Sequence, residues 1–372
     1  MWIKLGNSGS SECLDMSNFD NIIQAGKSRE NKDSVVLSIV IPSYNSAKLL
    51  SRCISALENQ SAKKSFFEIT VADDGSTDET VEMLEKFQVR TELKLQWTTK
   101  NNSGPANARN AGVAISTGPW IGFLDADVIP HPDWVETALE LIRNNPKAGA
   151  FEGRTEVNRR SRATPFTHQT ENTVGGRYPT CNLVVRKNLA HFHQAYKIPF
   201  REDTDLAFSI LESGYPIIFA SELAVEHPPL ASSYSRPFIL ARRYYYDGLL
   251  ARRFPSRYHN ELDAHKILGL KIPHLKRKLY AIFMLSQIIF LTGFLAGFSG
   301  SENMLTGGSY LIIFAATAAG GLRYANLKEM SLKDWLVYIS QLQLLPWVMS
   351  YSLFRGWFDS VSYTHLTLPT KA

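Results

Sequence analysis

Residues 120–127 read Trp-Ile-Gly-Phe-Leu-Asp-Ala-Asp, an apolar run of five residues followed by two aspartates one residue apart. Such a run, closed by a polar turn, predicts a buried strand that carries Asp125 and Asp127 at its C-terminal edge. Because side chains of an extended chain alternate with period 2, both carboxylates lie on the same side. Mg²⁺ and Mn²⁺ prefer one or two carboxylates together with phosphate oxygens and water. The stretch indicates a divalent-cation site, and a plain acidic turn is the alternative.

Strands and helices alternate around this stretch, from residue 35 to residue 145. Apolar, β-branched runs predict strands, and apolar positions at helical spacing predict helices. The predicted strands are 35–41, 67–72, 93–98 and 120–124, and the predicted helices are 47–59, 77–87, 106–116 and 133–144, the last capped by Asp133. This order predicts an α/β fold, with a parallel sheet covered by helices on both faces. In such sheets, ligands bind beyond the carboxyl ends of the strands.

Composition limits the possible partners and the compartment. The chain has 372 residues, of which 44% are hydrophobic, so one large domain or two ordinary ones can form. The formal net charge of +5 comes with a basic cluster in residues 236–278, which suits nucleic acid or an anionic membrane surface. Cys13, Cys53 and Cys181 form neither a zinc pattern nor a disulfide framework, which favours a reducing compartment. The polar segment 1–34 lacks an apolar signal core, so we expect no export of the catalytic region.

The C-terminal third contains three apolar runs that favour a membrane over nucleic acid. Residues 279–298 and 304–322 are uncharged, and the first is long enough to cross the hydrocarbon core at ~1.5 Å per residue. If the two runs form a hairpin, the basic residues that flank them lie on the same side of the membrane. The positive-inside rule then predicts that the catalytic domain is cytoplasmic. Residues 335–354 are interrupted by polar residues and by a proline, and either span the membrane or lie in its interface. Buried helices of a soluble domain are the alternative for all three runs. Residues 361–372 resemble translated non-native DNA and are excluded from the fold prediction.

Three polar motifs follow other predicted strand ends. Residues 42–45, Pro-Ser-Tyr-Asn, offer a ring and an amide that suit a nucleobase, although Asn45 could instead cap a helix. Residues 73–76, Asp-Asp-Gly-Ser, offer a carboxylate that can accept from a base or a ribose, or form a capped turn. Residues 101–110 form a small-residue turn into a helix, where free N–H groups attract phosphate. Arg109 in this turn adds a planar cation.

In order and spacing, these motifs resemble the family 2 glycosyltransferases, inverting enzymes with the GT-A fold. The resemblance covers roughly residues 35–230 and rests on P-S-Y-N, D-D-G-S, N-x-G-x-x-x-A-R-N-x-G and D-A-D, in that order. It implies a GT-A type, Rossmann-like mixed sheet flanked by helices in residues 35–232. A basic amphipathic juxtamembrane segment, 233–278, and a C-terminal helical membrane region, 279–360, would follow.

The resemblance also implies roles for individual residues. The nucleotide-sugar would be bound by Pro42, Tyr44, Asn45, Asp74, Gly104, Arg109 and Asp125. Mg²⁺ or Mn²⁺ would be held by Asp127, as the direct ligand, with Asp125 and His227. Asn182 and Arg154 would lie on the acceptor and sugar side.

The catalytic base would be Asp203, with Glu202 beside it, in the segment Arg-Glu-Asp-Thr-Asp-Leu of residues 201–206. An inverting transfer needs a carboxylate opposite the leaving nucleotide, to take the proton of the acceptor hydroxyl. An acidic helix N-terminus, favoured by the helix dipole, is the alternative.

The implied function is transfer of a single sugar from a nucleotide-sugar, UDP-linked, to a lipid-linked or glycan acceptor at the cytoplasmic face of the membrane, in cell-envelope polysaccharide synthesis. Processive synthases of the family carry Q-x-x-R-W, whereas residues 240–244 read Leu-Ala-Arg-Arg-Tyr. This departure favours single-sugar transfer, and a processive synthase is the alternative within the class. A sugar nucleotidyltransferase would need a glycine-rich loop that residues 42–49 lack, and a non-catalytic membrane-anchored protein would not need carboxylates at both 127 and 203. The sequence leaves the sugar, the acceptor and the oligomeric state open.

Overall fold

The computed structural model describes residues 34–157, 164–262, 265–267, 270–272, 274–296, 301–322 and 327–367. The polar, basic stretch 158–177 predicts a flexible loop over the expected site. Residues 158–163 of this loop, most of the polar N-terminal segment with Cys13, and the last five residues of the suspected non-native tail lie outside the described residues.

A mixed eight-stranded sheet forms the centre of the first domain. Its strands are β1 (Leu37–Ser43), β2 (Phe67–Asp73), β3 (Lys94–Thr99), β4 (Trp120–Leu124), β5 (Ile129–Pro130), β6 (Ala150–Glu156), β7 (Asn182–Arg186) and β8 (Ile217–Glu226). The strand order is β3-β2-β1-β4-β7-β6-β8-β5. Strands β1 to β4 are parallel, as the alternation predicts, and β7 is antiparallel to both β4 and β6. Since β8 is parallel to β6, it runs in the direction of β4, and the ends of both strands meet at one edge.

Helices cover both faces of this sheet, which confirms the predicted α/β fold. They are α1 (Ala47–Glu58), α2 (Thr80–Arg90), α3 (Pro105–Ile115), α4 (Trp134–Asn144) and α5 (Glu202–Glu212). The period-2 pattern of β1 sends Ile39 and Ile41 into the core on one face and Val40 into the core on the other. Gly112 of α3 lets that helix approach β1, because an added Cβ would lie 2.6 Å from Val40 Cγ1.

Several element boundaries differ from the predictions. Pro42 lies inside β1, opposite Ala72 of β2, so the strand continues past the proline. Asp133 occupies the N-cap position of α4 without a capping hydrogen bond from its side chain. Helix α5, which is absent from the helices predicted in residues 35–145, begins at Glu202 and so places Glu202 and Asp203 in its first turn.

A helical region follows the sheet domain. It contains α6 (Arg236–Arg243), α7 (Asp247–Arg253), α8 (Pro255–Asn260), a short hairpin of β9 (His265–Ile267) and β10 (Leu270–Ile272), α9 (Leu275–Leu295), α10 (Ser301–Leu322) and α11 (Leu332–Thr367). A 3₁₀ turn, Tyr244–Tyr246, joins α6 to α7. The predicted domain boundaries remain predictions.

The three predicted apolar runs have different outcomes. Among the described residues, one helix, α9, is long and apolar enough to cross a membrane by length and composition. The second run is a shorter apolar stretch, Met304–Ala319, inside α10. The third is part of α11, a single helix of 36 residues that contains Pro346. Helix α11 packs along α6 and α7, where Tyr338, Leu342, Leu345 and Met349 are buried with Ala241 and Tyr244.

Candidate active site

A cavity of about 560 Å³ opens where the end of β4 meets the first turn of α5. It brings together Arg109, Asp125, Glu202 and Asp203, which are far apart in the sequence. Residues 174–181 form another wall of the cavity. These four polar residues, which the sequence places at separate strand and helix ends, therefore share one cleft, whereas Tyr44, Asp74, Asp127 and His227 do not line it.

Arg109 is the buried centre of this cleft. Its Nη2 lies 2.8 Å from Asp125 Oδ1 and its Nη1 lies 3.2 Å from Glu202 Oε1. Burial opposes the charge of the guanidinium, but Asp125 and Glu202 hold the pKa of Arg109 above its usual value. The sequence motif predicts that the guanidinium of Arg109 binds phosphate. In the structure, its two Nη groups contact Asp125 and Glu202 and so join β4 to α5.

Glu202 and Asp203 differ in access although they are neighbours. Glu202 is buried, and burial together with Asp203 raises its pKa to about 7, against the opposing effect of Arg109. Asp203 is half-buried and lines the cavity. Burial also raises the pKa of Asp203, while its Oδ1 accepts a hydrogen bond of 2.6 Å from the N–H of Thr204. Of the two carboxylates, Asp203 is therefore the more accessible from the cavity.

The residue before this pair is held in an unusual conformation. Arg201 has φ +73°, in the left-handed region that non-glycine residues rarely adopt. Its Nε lies 2.7 Å from Asp247 Oδ1 on α7, and Arg277 Nη1 at the start of α9 lies 2.9 Å from Asp247 Oδ2. Asp247 thereby links the helical region to the turn that presents Asp203. Sequence reasoning missed Asp247 because nothing local marks an ion pair between distant segments.

A second group of residues suits a metal ion. Donor atoms of Asp127, His168 and His227 all lie within 4.8 Å of one another. His227 Nε2 lies 3.7 Å from Asp127 Oδ2, and His227 Nδ1 lies 3.0 Å from the carbonyl oxygen of Pro228. With Nδ1–H donating to that carbonyl, the Nε2 lone pair faces Asp127, as in a metal-ligating histidine. Among the described residues, the buried Asp127 Oδ1 has no hydrogen-bond partner. These donors fit a divalent cation.

His168 is a member that sequence reasoning missed. Burial, followed by the charge of Arg236, lowers its pKa to about 3, so the ring is neutral at pH 7. Arg236 of α6 donates to His168 Nδ1, which places the proton of the neutral ring on Nε2, so His168 would have to give up this hydrogen bond to offer a cation a lone pair. A lone histidine in a polar loop carries no strand-end signal, so no pattern could have identified it. Asp125, predicted as a second metal ligand, instead pairs with Arg109, and Asp127 is the aspartate that lies with the histidines.

Two predicted nucleotide-binding residues hold neighbouring loops together. Asp74 is buried, and its Oδ1 and Oδ2 accept hydrogen bonds of 2.8 Å from the N–H groups of Ser103 and Gly104. Asn45 Oδ1 accepts a 2.7 Å hydrogen bond from the N–H of Thr77. Asn45 thus ties β1 to the loop after β2 and does not cap its own helix. Gly104 has φ +93°, and an added Cβ would collide with the carbonyl of Lys197.

Tyr44 differs from its neighbours. Its side chain is 49% exposed at the end of β1. This ring is therefore available to stack on a base. Pro42 is part of strand β1.

The two residues predicted on the acceptor side do not line the cavity. Asn182 is fully buried and accepts a 2.8 Å hydrogen bond from Trp134 Nε1, while its Nδ2 donates to the carbonyls of Arg154 and Leu223 at 2.9 Å. The Arg154 side chain donates to the carbonyl of Ser221 at 2.6 Å and pairs with Glu156. The structure gives both residues a role in joining β6, β7 and β8.

Glu152 of β6 organises the wall of the cavity opposite α5. Its Oε1 accepts from the N–H groups of Arg177 and Tyr178 at 3.0 and 2.7 Å, and its Oε2 accepts from the N–H of Gly176 at 2.7 Å. The sequence predicts a flexible loop over the site here, and its described part is fastened by one buried carboxylate.

Helix α6 adds positive charge to the same region. Arg243 lines the cavity, and burial lowers its pKa. Among the described residues, the buried Nε of Arg243 has no hydrogen-bond partner. Burial and the nearby Arg243 lower the pKa of Arg236 to about 10, and Asp127 opposes this. By sequence, the basic cluster of residues 236–278 suits an anionic membrane surface, whereas Arg243 of this cluster lines the cleft in the structure.

Comparisons with known proteins agree with this architecture. Residues 38–205 match the family Glycosyl transferase family 2. Glycosyltransferase AglE from Haloferax volcanii is 27% identical over 212 residues, which cover 54% of this chain and 68% of AglE. Validoxylamine A glucosyltransferase from Streptomyces hygroscopicus subsp. jinggangensis is 36% identical over 104 residues, 28% of this chain and 25% of that relative. This chain therefore spans only a quarter of the second protein.

A solved structure of similar extent is the mannosyltransferase PcManGT from Pyrobaculum calidifontis in complex with GDP-Man and Mn²⁺, with a TM-score of 0.48 and 17% identity over 94% of each chain. The matched family segment contains the first four strands, the Asp-Ala-Asp turn and the first turn of α5. Residues 38–205 of the chain therefore form a glycosyltransferase family 2 domain.

Proposed function

We propose that the protein transfers one sugar from a UDP-linked nucleotide-sugar to an acceptor hydroxyl, with inversion at the anomeric carbon. The observation that carries this proposal is the position of Asp203, which is accessible in the cavity that also contains Asp125. Asp203 accepts the proton of the acceptor hydroxyl as that oxygen attacks the sugar. The related proteins named as glycosyltransferases support this class of reaction.

The donor site combines a ring, a metal group and cationic side chains. The exposed Tyr44 stacks on the nucleobase at the end of β1. Asp127, His227 and His168 would hold Mg²⁺ or Mn²⁺. When bound, the cation supplies positive charge for the departing diphosphate. Arg236 and Arg243 add fixed positive charge on the side of α6.

Arg109 orients the acidic groups of the site. It holds Asp125 at the end of β4 and Glu202 at the start of α5 in fixed positions. Such preorganisation favours the reactive geometry over the many others that unrestrained side chains would sample.

The acceptor is a lipid-linked or glycan hydroxyl at the cytoplasmic face of the membrane. Helix α9 supports membrane association by its length and composition. The basic residues Lys276, Arg277 and Lys278 near its start support a cytoplasmic catalytic domain. Leu240 and Tyr244 stand where Q-x-x-R-W has Gln and Trp, which favours a single transfer over polymerisation.

A direct test uses protein purified in detergent with Mn²⁺ and a panel of UDP- and GDP-sugars. Nucleotide release and the anomeric configuration of the product are followed by NMR. We expect release from at least one UDP-sugar and an inverted product, and no release by Asp127→Ala. Absence of any nucleotide binding, or a product with retained configuration, would contradict the proposal.

A further inference from the structure

We propose that α11 lies in the plane of the membrane, with one face on the catalytic domain and the opposite face in the lipid, and does not cross the bilayer. The inference rests on the membrane association proposed above. It replaces the choice, left open by the sequence, between a span and an interfacial segment for residues 335–354.

Both ends of α11 are fastened to one short segment of the chain, residues 234–245, which contains α6. Near its N-terminus, Asp334 Oδ1 accepts a 2.8 Å hydrogen bond from the hydroxyl of Tyr234. Near its C-terminus, Asp359 Oδ2 accepts a 2.9 Å hydrogen bond from the hydroxyl of Tyr245. These aspartates lie roughly 38 Å apart along the helix at ~1.5 Å per residue. A transmembrane helix would place its ends on opposite sides of a hydrocarbon core of about 30 Å, where one domain could not bind both.

The C-terminal half of α11 is in backbone contact with α7 and the turn before it, and α7 packs on the sheet domain through Leu249. A Cβ added to Gly248 of α7 would lie 2.6 Å from the carbonyl oxygen of Gly356, and a Cβ added to Gly356 would collide with the carbonyl of Tyr245. Arg252 Nε also lies 2.6 Å from the hydroxyl of Ser360. Two glycines therefore allow an approach that any larger side chain would prevent, and this end of the helix is docked along the domain.

The face opposite the docked one is apolar and exposed. This outer stripe consists of Leu332, Leu336, Ile339, Leu344, Trp347, Tyr351, Phe354, Trp357, Phe358 and Val361. Most of its members follow one another at intervals of three to five residues, on the side away from Tyr338, Leu342 and Leu345. Leu336 is 62% exposed and Phe354 is 72% exposed. A continuous apolar stripe of this length needs a cover.

A bilayer fits the outer stripe better than a second copy of the chain, because the stripe is continuous with the candidate span. Gln287 of α9 donates to Gln343 Oε1 at 2.9 Å and accepts from Trp347 Nε1 at 2.8 Å. Tyr310 of α10 donates to Gln343 Oε1 at 2.6 Å. Such hydrogen bonds join helices in apolar surroundings. They attach the middle of α11 to α9, whose own Leu285, Leu291 and Phe294 are exposed.

The residue types of the outer stripe and the distribution of charge along α11 also suit the interface between membrane and water. No charged residue occurs from Trp335 to Phe354, and charges return at Arg355 and Asp359. Trp and Tyr are enriched where membranes meet water, and Trp347, Tyr351 and Trp357 belong to the stripe. Interfacial helices bury their apolar face about 5–10 Å into the boundary between headgroups and acyl chains.

The topology can be tested with the full-length protein in sealed vesicles of phosphatidylcholine and phosphatidylglycerol, with the catalytic domain outside. Lys333→Cys and Arg355→Cys are each treated with a membrane-impermeant maleimide, with Lys86→Cys on α2 as the marker of the catalytic side. The wild-type protein measures background from native cysteines. We expect all three positions to be labelled from outside. Labelling of only one of residues 333 and 355 before detergent is added would overturn the proposal.

Depth measurements with nitroxide labels test the lipid contact itself. Labels at Leu336→Cys, Trp347→Cys and Phe354→Cys should show similar, shallow depths by power saturation with oxygen and a water-soluble nickel chelate. A label at Leu344→Cys on the same face should agree with them. A label that is deep in the bilayer at residue 347, with shallow labels toward both ends of the helix, would indicate a span. Spin–spin coupling between copies, without contact with oxygen in the lipid, would indicate a dimer and would also overturn the proposal.

Sugar transfer by the same variants in detergent separates the two proposals. Absence of transfer by the wild-type protein, with labelling as expected, would count against the proposed function alone. Labelling from opposite sides in an active enzyme would count against the in-plane helix alone.

Discussion

Arg109 Nη2 lies 2.8 Å from Asp125 Oδ1, and this contact joins the first turns of α3 to the edge of β4. The other arm of the guanidinium reaches Glu202 on α5. One buried cation therefore holds two acidic segments that come from distant parts of the chain. This bridge fixes the positions of Asp125 and Glu202 relative to each other.

Arg109→Met should destabilise the protein, because it leaves Asp125 and Glu202 without their partner in a buried site. Loss of one partner of a buried ion pair costs about 3–5 kcal/mol of unfolding free energy. Chemical denaturation of the variant and the wild-type protein measures this difference. Arg109→Lys is the matched control: it keeps the charge but cannot bridge both carboxylates, so its stability should lie between the two. Equal stability of all three proteins would show that the bridge is not formed.

Glu202 should make the stability of the protein depend on pH. Its folded-state pKa of about 7 lies above the ordinary value of 4.5, so the folded protein holds this proton more tightly than the unfolded chain. The resulting stabilisation is fully present below about pH 4.5 and is lost as the pH rises to about 7. Glu202→Gln should therefore lose less unfolding free energy over this range than the wild type does. An identical pH dependence in both proteins would contradict the assignment.

The metal group can be examined without an activity assay, by the EPR signal of free Mn²⁺. Asp127→Asn and His227→Ala should each weaken Mn²⁺ binding at least about tenfold, because each removes a donor atom or its charge. His168→Ala shows whether the third member of the group binds the ion, and we expect a comparable loss. His191→Ala, an exposed histidine outside the group, is the control. Binding that is unchanged by all three site variants would place the metal elsewhere.

Glu152→Gln should loosen the loop that walls the cavity. The carboxylate accepts three backbone N–H groups, and an amide would turn a donor toward at least one of them. We expect faster hydrogen exchange at residues 176–178 and a higher KM for substrate, with Mn²⁺ binding unchanged. Glu156→Gln on the same strand is the control. Unchanged exchange in Glu152→Gln would show that the loop is held by other contacts.

The sequence predicted the central strands well because buried parallel strands are short, continuous apolar runs. Trp120–Leu124 was predicted with its observed bounds. Strand-end residues were harder, because a polar side chain there looks the same whether it binds a ligand or a neighbouring loop. Asp74 and Asn45 both bind loops, and Asn182 is buried between strands.

Long-range partners account for the rest. His168, Glu152 and Asp247 acquire their roles from segments that are distant in sequence, so no local spacing reveals them. Helix α11 was ambiguous for a different reason. One apolar face of α11 packs against the domain and the other faces outward. Averaged along the helix, the two faces give the overall hydrophobicity of a weak transmembrane segment.

The central claim is that Asp203 is the base, and the most direct test is the rate of sugar transfer by Asp203→Asn beside its affinity for UDP, measured by calorimetry. We predict a loss of about 10²–10⁴-fold in kcat, the usual contribution of a general base, with UDP affinity unchanged. Transfer by Asp203→Asn at the wild-type rate would contradict the account.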